Sequence, residues 1–156
     1  MISDWSRSRR SEATKLAWSR AMSVGNKTID AEHAEIIRLV NEVERAIRSR
    51  EADVLSRVFN TLETKIISHF ANEARIAEAV GYPFGEHQLE HQYVLGELET
   101  MKTDLIAKNG MWSESAAEFY YSFLGEWATA HINVDDMKLK AKLETRPYDF
   151  KPNTVE

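Results

Sequence analysis

Cysteine is absent from this 156-residue chain. Disulfides, thiolate metal sites, iron-sulfur clusters and cysteine nucleophiles are therefore excluded, and any metal must be held by nitrogen and oxygen. No apolar run approaches the roughly 20 residues that a membrane span needs, and the stretch from Met1 to Lys15 is polar and charged, unlike a signal peptide. A concentrated basic face is lacking too. The formal charge of -5 is spread through mixed-sign sequence, so there is no electrostatic footprint for nucleic acid. A soluble, cytoplasmic chain with neither nucleic acid nor membrane as partner is the expectation. Alternation of period two, internal repeats and low-complexity segments are also missing. A chain of this length removes roughly two-thirds of its unfolded surface from water, enough for one core.

What the chain does have is helical periodicity. Apolar residues at Ile29, Ile36, Ile37, Val40, Val43 and Ile47 mark one face of a first helix, with Asp30 as the expected N-cap. A second pattern runs through Val54, Leu55, Val58, Phe59, Leu62, Ile66, Phe70 and Ala77 and stops at Gly81-Tyr82-Pro83. A third runs from about Gly85 through Leu95, Leu98, Met101 and Leu105 to Asn109-Gly110, and a fourth begins near Ser113 and carries Phe119, Tyr120, Phe123, Leu124 and Trp127. Four amphipathic helices with short links predict an all-α, up-and-down antiparallel four-helix bundle. The expected division is an N-terminal arm at 1–17, the bundle at 18–146 and a short irregular tail at 147–156, which packs across the bundle or frays.

All five histidines fall on these helices. His87 and His91, four apart, project from one face of the third and can share an ion. His69 and Glu73 repeat that spacing on the second, where the carboxylate is placed to bridge two metals. His33 lies on the apolar stripe of the first helix, and His131 follows Trp127 by four on the fourth. Taken singly, His33 or His131 reads as a hydrogen-bonded core residue. Taken together, five buried neutral imidazoles would each cost about 1–3 kcal/mol if left unpaired, and a shared metal satisfies them at once. A carboxylate on the fourth helix is harder to choose: Asp136 is five residues beyond His131, off its face on a regular helix, and Asp135 competes. The helix must bend or end there for Asp136 to reach the site.

A lone histidine, then His-x-x-x-Glu, His-x-x-x-His and His-x-x-x-x-Asp, one element per helix, resembles the hemerythrin family over about residues 18 to 143. The flanks Ser23-Val24-Gly25, Ile29-Asp30, His69-Phe70, Gly81-Tyr82-Pro83, Trp127, His131-Ile132 and Lys140 to Leu143 point to its bacterial branch. The resemblance implies a centre of two iron ions with a bridging oxo or hydroxo group that binds dioxygen reversibly. By it His87, His91 and His131 saturate one iron, His33 and His69 hold the other beside an open position, and Glu73 and Asp136 bridge. It also implies an apolar oxygen pocket lined by Ile36, Phe70, Trp127, Ala128 and Ile132, each of which by itself reads equally well as core.

Two positions depart from the family pattern. Ala128 stands where leucine is frequent after the tryptophan, which predicts faster autoxidation. Leu139 stands where tyrosine is frequent, which removes a hydrogen-bond partner near Asp136. The function implied is oxygen storage, delivery or sensing by a monomer that is not an enzyme, with a protein partner for delivery or signalling left open. The competing readings are a di-iron oxidase, peroxidase or nitric-oxide-handling enzyme, a signalling module, and a structural zinc bundle. The last is disfavoured because structural zinc sites are closed, four-coordinate and single.

Overall fold

Asn26, and not Asp30, starts the first long helix. Its side chain accepts the Ile29 N–H at 3.1 Å, the N-cap arrangement that satisfies an otherwise orphaned donor. Asp30 sits one turn further in. There it is buried and accepts from Ser23 Oγ (2.5 Å), the Val24 N–H (3.0 Å) and Tyr148 Oη (2.9 Å), so it ties both ends of the described chain together. The acidic residue predicted to cap is thus an interior anchor.

The computed structural model describes residues 16–152, so almost all of the expected N-terminal arm lies outside the described residues. Four long helices make an up-and-down bundle: α1 (Lys27–Ser49), α2 (Ala52–Val80), α3 (Gly85–Lys108) and α4 (Glu114–Ala130). The stops fall where the sequence places them. Gly81 takes φ 78 and returns its N–H to Ala77, and Ser113 caps α4 by accepting the Ala116 N–H. At the end of the bundle formed by the α1–α2 and α3–α4 turns, Arg50 donates to the Trp112 carbonyl and to Glu114, while Trp112 Nε1 donates to the Ile47 carbonyl at 3.0 Å. Gly110, at φ 88, lies where an added Cβ would stand 3.1 Å from the Arg50 carbonyl.

After α4 the chain changes hydrogen-bond pattern. Residues His131–Asp135 form a π-helical turn, Asp136–Leu139 a 3₁₀ turn, and Lys140–Leu143 a last short helix, α5. Two apolar clusters result. A large one fills the bundle on the side of the α1–α2 and α3–α4 turns and includes Val40, Phe59, Leu62, Leu98, Leu105 and Leu124. A small one comprises Val24, Ile29, Ile76, Ala77, Val80, Leu139 and Leu143, with Tyr82, Phe84, Met137 and Phe150 packed against it. The tail packs back at this end: the Lys27 N–H donates to the Tyr148 carbonyl at 2.8 Å and Asn26 Nδ2 to the Phe150 carbonyl at 3.1 Å.

Candidate metal centre

Between the two clusters lies a layer of polar side chains. His33 falls between Ile29 of the small cluster and Ile36 of the large one, and His69 and Glu73 fall between Ile66 of the large cluster and Ile76 of the small one. His87 and His91 separate Phe84 from Val94, and His131 and Asp136 separate Ala128 from Leu139. Each helix keeps its face and changes chemistry for one or two turns. On α4 the change needs the π turn: the Asp136 N–H bonds to the His131 carbonyl, an i→i+5 closure that brings residues five apart back to the same side. Asp136 is therefore fully buried, whereas Asp135 remains partly exposed beside a cleft of about 490 Å³ that reaches the edge of His87.

All seven side chains converge, every imidazole through Nε2. Asp136 Oδ2 lies 2.7 Å from His33, 2.8 Å from His131 and 3.4 Å from His69, and its Oδ1 lies 2.8 Å from His87. Glu73 Oε1 lies 3.0 Å from His91 and 3.4 Å from His87, while its Oε2 lies 3.6 Å from His69. Two overlapping sets of metal-ligand type follow, one of His33, His69, His131, Glu73 and Asp136, the other of His87, His91, Glu73 and Asp136. The carboxylates belong to both. His131 stands with His33 and His69, its Nε2 3.1 Å from that of His69, whereas the resemblance groups it with His87 and His91. Asp136 Oδ2 lies within 3.4 Å of all three rings.

The donor set fits a cation. Among the described residues neither oxygen of the fully buried Glu73 has a hydrogen-bond partner, nor has Nε2 of His91, although the two groups are 3.0 Å apart. His69 is fixed from behind: Nδ1 donates to Glu32 at 2.8 Å, which leaves the Nε2 lone pair of the neutral ring facing His131 and two carboxylates. Such an arrangement is repulsive until a positive charge enters it. Burial pulls the His69 imidazole down, but contacts with Asp136 and Glu32 and the charge of Glu73 outweigh it and push the group up to about 10. Burial likewise opposes, and Asp136 and Glu73 overcome, a rise of His87 to about 9. Burial keeps His33 and His91 below the ordinary 6.5. Asp136 is pushed up by burial and held, chiefly by the adjacent His131, well below the carboxylate range.

Aromatic rings brace the imidazoles. Phe70 stacks on His91 with centroids 3.6 Å apart, Phe84 on His87 at 4.8 Å and Trp127 on His131 at 5.2 Å. Phe70 and Trp127, expected as pocket lining, thus touch ligand-type rings; Ile36, Ala128 and Ile132 are buried, the first two in the large cluster. Leu139 is fully buried in the small cluster, and Asp136 bonds to histidines instead. Sequence reasoning missed Phe84 and Glu32. The adjacency of Glu32 to His33 was the available signal for the latter, since neighbours on a helix face directions about 100° apart and Glu32 can reach α2 while His33 points inward.

The Hemerythrin HHE cation binding domain profile matches residues 24–143. A bacteriohemerythrin of Stenotrophomonas maltophilia (strain R551-3) is 26% identical over 122 residues, which are 78% of this chain and 76% of that protein. Bacteriohemerythrins of Pseudomonas aeruginosa (strain LESB58) and Pseudomonas paraeruginosa (strain DSM 24068 / PA7) are each 25% identical over the same shares. The matched span begins with the loop before α1 and ends with α5, so it takes in every residue of the converging layer, and the chain belongs to the hemerythrin family.

Proposed function

We propose that this protein binds dioxygen reversibly at a pair of iron ions held by His33, His69, Glu73, His87, His91, His131 and Asp136. One observation carries the reading: two overlapping donor sets share both of their carboxylates, and Glu73, at their junction, has no hydrogen-bond partner among the described residues. Glu73 and Asp136 would bridge, with His33 and His69 on one side and His87 and His91 on the other; His131 completes the second set by the family resemblance. Two ferrous ions, two carboxylates and a bridging hydroxide sum to about +1, which a buried site tolerates far better than uncompensated charge. When bound, the iron pair supplies electrons that dioxygen can take up and give back.

The chain's own residues supply the rest. The aromatic stacks and Glu32 lock ring orientation, so the ligands need little reorganisation. Phe70 and Trp127, with Ile36, Ala128 and Ile132, form the apolar wall that keeps water and protons out, which supports carriage over turnover. Ala128 leaves that wall thinner than leucine would, so Ala128→Leu is expected to slow decay of the oxygenated form. An unchanged decay rate in that variant would remove the idea. The function is tested by anaerobic reduction and metal analysis, followed by air and then vacuum while the visible spectrum is recorded. Two irons per chain and an oxygen-dependent band that disappears under vacuum support oxygen storage, delivery or sensing. Irreversible oxidation would favour a di-iron redox enzyme, and a chain that takes up no iron would sink the reading.

A further inference from the structure

A hydrogen-bonded line leads from the histidine layer to the surface. His69 Nδ1 donates to Glu32 Oε1 at 2.8 Å, Asn72 Nδ2 donates to Glu32 Oε2, and Arg75 Nη2 donates to Asn72 Oδ1. His69, Asn72 and Arg75 are spaced by three along α2, so they share the flank that faces Glu32 on α1. Burial falls along the line: His69 is fully buried, Glu32 is 6% exposed, Asn72 is half-buried and Arg75 is exposed. The outer end opens into a cleft of about 210 Å³ lined by Asn72, Arg75, Thr28, Ile76, Lys151 and Pro152. None of Glu32, Asn72 or Arg75 belongs to either donor set.

We infer that Glu32 is a positioning residue for His69, and that Asn72 and Arg75 set how strongly it acts, so that a surface arginine tunes the metal's affinity and redox preference without touching it. This rests on the reading of His69 as a metal ligand. A carboxylate behind a ligating imidazole holds the ring's tautomer and raises its basicity, and its loss commonly weakens metal binding 10–100-fold. The other oxygen of the same carboxylate is engaged by Asn72, and Arg75 polarises that amide through its carbonyl, which strengthens the N–H donation to Glu32. Each bond outward draws negative charge away from Oε1. The two ends of the line therefore act on His69 in opposite senses.

The test uses the full chain, loaded anaerobically with ferrous ion, and reads iron affinity and midpoint potential. Wild type is measured first: if it takes up no iron, the metal reading fails and this inference goes with it. With wild type loaded, Glu32→Gln is expected to weaken iron binding by about 10–100-fold and to raise the potential, because a less basic His69 stabilises ferric iron less. Arg75→Met is expected to lower the potential, because Glu32 is then a stronger acceptor. Glu32→Asp should recover part of the lost affinity. Loss of packing alone would not move the two potentials in opposite directions. Shifts of the same sign, or potentials within error of wild type in both variants, would overturn the assignment.

Discussion

The two apolar clusters on either side of the histidine layer are built from different material. The large one is laid down by all four long helices, each repeating the helical period, and its buried members lie within those helices except Trp112 in the α3–α4 turn. The small one takes only the N-terminal turn of α1 and the last turns of α2, and is closed by Val24 from the loop before α1 and by Leu139 and Leu143 from the chain after the π turn. It also depends on bonds between segments far apart in sequence, such as Tyr148 to Asp30. The large cluster holds the helices together. The small one is the lid of the polar layer, made where helices alone would leave it open.

The strongest break in this comparison is made within the layer itself. Glu73→Gln removes the charge shared by both donor sets, and iron uptake is expected to fall from two ions per chain to at most one, by metal analysis after anaerobic loading. Retention of two would remove Glu73 as a bridge.

Leu62→Ala in the large cluster and Leu143→Ala in the small one should each cost about 2–5 kcal/mol in urea unfolding of the metal-free chain. They should differ in the loaded protein. Iron release to a chelator is expected to accelerate several-fold in Leu143→Ala and to stay near wild type in Leu62→Ala. Equal release rates would mean that the small cluster is not a lid.

The pH dependence separates the layer from both clusters. His69 and His87 are raised to about 10 and about 9, so in the metal-free chain their contribution is complete below 6.5 and is lost as pH rises through those values. His33 and His91 are lowered, so the unfolded chain takes up protons there that the folded chain refuses, and stability falls as pH drops below 6.5. Stability of the metal-free chain should therefore peak near 6.5. In the proposed centre metal would replace the two protons on His69 and His87, so the decline toward pH 10 should vanish on loading. A metal-free chain with a flat profile from 6.5 to 10 would contradict this. The smallest effect is expected from Tyr148→Phe, which deletes one of three bonds to Asp30 and should cost about 0.5–1.5 kcal/mol by thermal unfolding.

The four helices and their stops were legible because apolar period and Gly or Asn at helix ends are local signals, as at Gly81 and Asn109. The histidines on α1, α2 and α3 were legible for the same reason, since they occupy the inward face that Ile36, Ile66 and Leu98 share. Three things were not. The cap at Asn26 was not legible because Asp30 is an equally good cap by residue type, and only the loop containing Val24 and the returning Tyr148 decides which is drawn inward. Glu32 was invisible because its partners, His69 and Asn72, lie on another helix. Phe84 sits in a turn, where no period announces which way a ring will face.

The π turn after α4 gives the closing point. An i,i+4 register in that segment would present Asp135 inward, just as His69 presents Glu73; the i→i+5 register presents Asp136. Two neighbouring carboxylates and two backbone hydrogen-bond registers thus describe one choice. A cation bound through Asp136 stabilises only one of them, so by mass action metal occupancy favours the wider register. Under the proposed centre the backbone of this segment is part of the coordination chemistry, and its amides are a place where loading would be read without observing the metal at all.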